Sequence, residues 1–84
     1  IVSTAMHLPR GCSLTSERRR ELLAWAAQYG AIIVELDCEG HLALSDGKPT
    51  QPLAARGTER GIVYVRDFDR VTFPGLSLAF AVMP

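Results

Sequence analysis

The run Ala31-Ile32-Ile33-Val34-Glu35-Leu36-Asp37 limits what this chain can fold into more than any other stretch. It is apolar and β-branched, and polar and apolar residues do not alternate along it. Such a run reads as a strand covered on both faces. The segment before it has helical period from Ser16 to Tyr29. Leu22, Ala26 and Tyr29 share one face, Leu23 and Ala27 lie beside it, and Arg18, Arg19, Glu21 and Gln28 are expected in water. Thr15 is placed as the N-cap, Glu17 falls in the first turn where its charge suits the positive helix end, and Gly30 stands where a left-handed residue closes a helix. With residues 1–5 as a short first strand, the order is strand, helix, strand: a βαβ unit.

Residues 39–61 are polar and interrupted by Gly40, Gly47, Pro49, Pro52 and Gly57. A brief pairing at residues 42–44 and a helical turn over 52–56 are expected there. Residues 61–68 read as a third strand and 76–83 as the last. Only a few residues around Pro74-Gly75 separate these two, whereas a parallel crossover needs roughly a dozen or more. The last strand is therefore expected to run antiparallel. The predicted fold is α/β: a four-stranded mixed, mostly parallel sheet with at least one packed helix. One helix covers one face, so the second face calls for a cover from another copy or from the remainder of a larger chain.

At 84 residues the chain is one small domain or a fragment of one. Nine basic residues balance nine acidic ones, which gives no net field favouring nucleic acid or an anionic membrane. No apolar run approaches the roughly 18 residues of a membrane span, and the first residues carry no basic segment of a signal peptide. Two cysteines do not make a disulfide scaffold, so a reducing cytoplasm is the expected location. His7, Cys12, Cys38 and His41 are the right residue types for zinc, but their spacing is not that of a finger, and no metal is expected. No nucleophile–base pair, G-x-S-x-G elbow or glycine-rich phosphate loop after a strand is present.

Two long stretches carry a family signal. "STAMHLPRGCSLTSERRRELLAWAAQYGAIIVELD" and "GIVYVRDFDRVTFPGLSLAFAVMP" together resemble the large domain of fold-type-I pyridoxal-phosphate enzymes. The resemblance is nearest to the aminotransferase-like domain of MocR-type regulators in the GntR superfamily. Those typically read TPSHQFPTG, a helix beginning SLxRR, VEDDYDSEF, then GTFSKTLxPGLRLGYLVxP. Pro9, Gly11, Arg18, Arg19, Glu35 and Asp37 fall in step with that pattern, as do Phe68, Pro74, Gly75 and Leu76. If the fold follows the family, the expected spatial order is last strand, third, first, second.

The resemblance also implies which positions would serve the cofactor, and those positions are changed. The Schiff-base lysine of the FSK motif falls on Arg70, and the neighbouring serine on Asp69. The aspartate that pairs with the pyridine nitrogen falls on Leu36, and a one-residue shift would place Asp37 there instead. The tyrosine that contacts the phenolic oxygen falls on Cys38, and the phosphate-holding arginine after PGL falls on Ser77. Arginine stays protonated at any workable pH and forms no imine, and leucine cannot keep a pyridinium protonated. The expectation is therefore a domain with no catalytic residues and no bound cofactor. It would be the effector or dimerisation part of a MocR/GntR-type transcriptional regulator, partnered by a second copy or by the rest of a longer chain. This segment itself would contact neither nucleic acid nor membrane. The alternatives are a degenerate aminotransferase-related domain that holds a small ligand, and a self-associating interaction module.

Overall fold

A computed structural model describes residues 1–5, 11–38, 44–45, 48–49, 51–56, 61–69, 71–73 and 75–84, with backbone only at 44–45, 48–49 and 56. Helix α1 spans Ser16–Tyr29, as its periodicity predicts. Thr15 caps it, its side chain accepting from the Arg18 backbone N–H at 3.2 Å. Gly30 closes it at φ 61°, a left-handed conformation that costs glycine nothing, and the Gly30 and Ala31 N–H groups both reach the Ala26 carbonyl.

The strands are β1 (Ile33–Leu36), β2 (Leu44–Ser45), β3 (Lys48–Pro49), β4 (Ile62–Asp67) and β5 (Ala79–Val82). A 3₁₀ turn at Leu53–Arg56 lies where a helical turn is expected. The main sheet has the order β1-β4-β5, with β1 and β4 parallel and β4 and β5 antiparallel. β2 and β3 form a separate antiparallel ribbon.

Among the described residues the main sheet thus has three strands, not four, with one parallel and one antiparallel strand pair, so "mostly parallel" does not hold. The spatial order differs from the expected one as well. The second predicted strand, β1, pairs directly with the third, β4, and the first segment lies on the outer side of β1. That segment contributes only one parallel bridge, Val2 to Glu35, made by Val2 N–H to Val34 O and Leu36 N–H to Val2 O, both 2.8 Å. The reason is local. At Thr4 the chain bends, and this residue commits its polar groups sideways: its carbonyl accepts from the Leu14 N–H at 3.0 Å and its hydroxyl donates to Glu35. A residue bonded in that way cannot continue the ladder along β1.

The core is small. Ala26 of α1, Leu53 of the 3₁₀ turn, Ile33 of β1 and Ile62 of β4 are buried together, with Leu22 and Leu23 packed at the margin. Burial alternates along β1 and β4: Ile33, Glu35, Ile62 and Tyr64 are buried, while Val34, Leu36, Val63 and Val65 are half-buried. The absence of alternation in sequence therefore does not reflect equal burial of both faces in this chain. β5 is exposed at all four positions.

Three side chains break the expected pattern of wet and dry. Tyr29, expected on the packed helix face with Leu22 and Ala26, is 67% exposed. The other two are charged. Glu35 is fully buried. Its Oε1 accepts from the Thr4 hydroxyl at 2.5 Å and the Leu53 N–H at 2.8 Å, and its Oε2 accepts from the Ala54 N–H at 3.0 Å. A carboxylate can be kept out of water only if its lone pairs are met, and here three donors meet them. Arg19, expected in water, is instead buried at 8% exposure. Its guanidinium donates to the carbonyls of Leu14 (3.1 Å), Thr4 (3.4 Å) and Gln51. Glu35→Ala removes one acceptor group and strands three donors, two of them buried. It is expected to lower unfolding stability by about 2–4 kcal/mol in urea melts, and Arg19→Ala by a comparable amount rather than a negligible one.

Candidate functional site

In a sheet with a parallel pair, the ends toward which both strands run gather side chains and loops. Here those are the C-terminal ends of β1 and β4. β1 delivers Leu36, Asp37 and Cys38; β4 delivers Arg66, Asp67 and, just beyond it, Phe68 and Asp69. The chain returns past Ser77 into β5, where Asp67 pairs with Ala79 and Phe68 N–H donates to Leu78 O at 3.0 Å.

The turn after β4 is closed through one carbonyl. Phe68 O accepts from the backbone N–H groups of Val71 and Thr72, each at 3.0 Å, and from the Thr72 hydroxyl at 2.7 Å. The Phe68 ring packs against Phe80 at 5.7 Å between centroids, and Phe80 in turn meets Tyr64 at 5.9 Å. This turn leaves Asp69 exposed, with its N–H directed at the Asp67 carboxylate at 3.4 Å. Arg70 and Pro74 lie outside the described residues.

Leu36 and Asp37 are neighbours in sequence, and strand alternation sends them to opposite faces. Leu36 is half-buried. Asp37, only 7% exposed, lies on the Glu35 side of β1, where its Oδ2 accepts from the Tyr64 hydroxyl. Its Oδ1 is buried without a hydrogen-bond partner. Burial pushes the Tyr64 hydroxyl up from 10.0 to about 12, the Asp37 hydrogen bond and charge add to this, and Arg66 opposes it. The proton therefore stays on Tyr64, and the hydroxyl remains a donor to Asp37 throughout the usable pH range. Neither partner of this pair stands out in the sequence. The signal for it was the period of two that puts Glu35 and Asp37, two carboxylates, on the same side of a mostly apolar strand.

Of the four zinc-type residues, His7 and His41 lie outside the described set, Cys12 is exposed and Cys38 is half-buried, and neither cysteine is in a disulfide. Among the described residues no group of three or more His, Cys, Asp or Glu could hold a metal ion, and no helix is long and apolar enough to cross a membrane. Ser77 is exposed in the strand-entry segment.

Comparison with known proteins places this edge in context. The chain is 36% identical over 78 residues, 93% of its length, to the uncharacterized HTH-type transcriptional regulator YcxD of Bacillus subtilis. It is 34% identical over 79 residues to the vitamin B6 salvage pathway transcriptional repressor PtsJ of Salmonella typhimurium. Aromatic-amino-acid aminotransferase 1 of Thermococcus litoralis shares 35% over 72 residues, 86% of the chain. The chain is homologous to a segment shared by MocR-type regulators and aminotransferases. It spans only 17% of YcxD, 18% of PtsJ and 17% of the aminotransferase. No family model matches the chain.

The family resemblance implies pyridoxal phosphate as the group such an edge would hold, and the residues described at this edge do not fit it. The position expected to meet the pyridine nitrogen is an apolar leucine. The adjacent Asp37 faces the other way and is bonded to Tyr64. The strand-end turn presents the carboxylates of Asp67 and Asp69 where a dianionic phosphate would need donors. The single lysine of the chain, Lys48, is in the β2–β3 ribbon and not in the turn after β4.

Tyr64 makes the first test of this geometry. A hydroxyl raised from 10.0 to about 12 contributes stability that is fully present below pH 10 and is lost as pH rises from about 10 to about 12, because the unfolded chain ionises first. Stability followed by denaturant melts should fall over that window in the wild type and stay flat in Tyr64→Phe. The same variant should be about 1–3 kcal/mol less stable at neutral pH, because it leaves the buried Asp37 carboxylate without its donor.

Proposed function

We propose that this segment is a non-catalytic, aminotransferase-like part of a MocR/GntR-type transcriptional regulator, and that it serves an effector or dimerisation role. Its homology to regulators supports the setting. The observation that carries the non-catalytic reading is the turn after β4. Imine chemistry needs a desolvated primary amine at a fixed position. In this chain the motif position is Arg70, and the turn is built on the Phe68 carbonyl and flanked by the carboxylates of Asp67 and Asp69.

The dimerisation part of the reading is supported by exposed apolar surface. β5 is an edge strand exposed throughout, and Leu78, Phe80, Val82 and Met83 present large side chains on or beside it. The second face of the sheet leaves Val34, Leu36, Val63 and Val65 half-buried. An exposed apolar edge strand is a template for pairing with a further strand. A second copy, or additional chain of the kind the longer relatives possess, would cover it.

Two measurements test the proposal. Given pyridoxal phosphate and a panel of amino acids, the full chain should show no amino-group transfer to a keto acid; sustained turnover would refute the non-catalytic reading. Sedimentation at micromolar concentration should show a dimer or larger assembly, and Phe80→Asp should shift the population toward monomer. A compact wild-type monomer would refute self-association.

A further inference from the structure

The loss of the lysine position by itself would leave a site that still holds a B6 phosphate non-covalently, as an effector. We infer that the C-terminal edge of β1 and β4 does not do this either: it has ceased to be a B6-phosphate site altogether. The inference deepens the regulator reading given above and rests on it.

Two contacts beyond the imine would be needed, to the ring nitrogen and to the phosphate, and the geometry removes each separately. The ring nitrogen needs a carboxylate on the same face as the ligand. By the family resemblance that place falls on Leu36, and alternation along β1 turns Asp37 to the side that carries Glu35. Asp37 is also committed, since its Oδ2 takes the Tyr64 hydroxyl and the side chain is 7% exposed. A ligand large enough to carry a ring and a phosphate cannot reach the remaining oxygen without displacing the strand's packed face. The phosphate needs donors or a cation, and the described part of the turn offers the opposite. Asp67 and Asp69 lie there together, and the Val71 and Thr72 N–H groups, which a phosphate could have used, are both spent on the Phe68 carbonyl. Ser77, at the position of the phosphate-holding arginine, is exposed and uncharged. Neither condition depends on the lysine.

Pyridoxamine 5′-phosphate is the discriminating probe, because it binds without forming an imine. Titration calorimetry of the full chain with pyridoxamine 5′-phosphate, and absorbance titration with pyridoxal 5′-phosphate, should both show no saturable wild-type site. The triple variant Leu36→Asp, Arg70→Lys, Ser77→Arg should gain saturable binding of both, with an imine band whose borohydride-trapped adduct maps to position 70. A one-to-one wild-type complex with pyridoxamine 5′-phosphate would overturn the inference. A triple variant that also fails to bind would overturn the account of positions 36, 70 and 77 as what removed the site. A wild-type complex without turnover would leave the regulator reading in place, since a regulator can use such a ligand as an effector. Amino-acid turnover would instead defeat that reading itself.

Discussion

The buried carboxylate of Glu35 is the constraint on which the rest of this small structure depends. A charge in a β-strand that packs under a helix costs several kcal/mol unless every lone pair is met. Here the three donors come from two separate parts of the chain: Thr4 before the helix, and the Leu53 and Ala54 N–H groups that open the 3₁₀ turn. Meeting that one carboxylate fixes where the first segment bends and where the irregular region returns to the sheet. Arg19 completes the arrangement from the helix side. It holds the carbonyls of Thr4, Leu14 and Gln51, so the two buried charges tie the same loops without pairing directly with each other.

The core contains few apolar residues, and polar bonds carry much of the specification of the fold. Ala26, Ile33, Leu53 and Ile62 form its centre, and a domain of this size buries only about 60–65% of its unfolded surface. Buried polar networks of this kind select one arrangement, because a slip in register would leave several groups unmatched at once. The same logic explains Asp37 and Tyr64. The bond between them joins the ends of β1 and β4 and consumes a carboxylate that could otherwise have faced a ligand.

On the proposed reading, the C-terminal edge keeps the position of an active site and has changed its chemistry. The strand order β1-β4-β5 brings the motif positions into one neighbourhood, as homology to aminotransferases and MocR-type regulators leads one to expect. Apart from Arg66, which lies beside Tyr64, the charged side chains described there are Asp67, Asp69 and the already bonded Asp37, and Leu36 is apolar. On the proposed reading the scaffold persists because it still serves shape and assembly, for which packing suffices, whereas cofactor chemistry would need every contact at once. The exposed β5 edge and the half-buried second face are where such an assembly would form.

Local patterns determined what local physics controls. The helix from Ser16 to Tyr29, its Thr15 cap and Gly30 stop, the 3₁₀ turn near Leu53, the strand at β4 and the antiparallel return of β5 follow from periodicity, capping chemistry and loop length, all of which act within a few residues. The motif order in the chain likewise carried the relationship to regulators and aminotransferases. Tertiary structure alone decided the rest. Strand order depends on which segments satisfy each other across long sequence separations, so β1 pairs with β4 and residues 1–5 supply a single bridge instead of a fourth strand. Burial of Arg19 depends on the carbonyls that converge on it from Leu14, Thr4 and Gln51, and helical periodicity contains no trace of two of those three partners. Whether position 36 or 37 faces a ligand was open by one residue in the sequence. The Tyr64 hydroxyl, supplied by a strand 27 residues away, is what holds Asp37 on the other face.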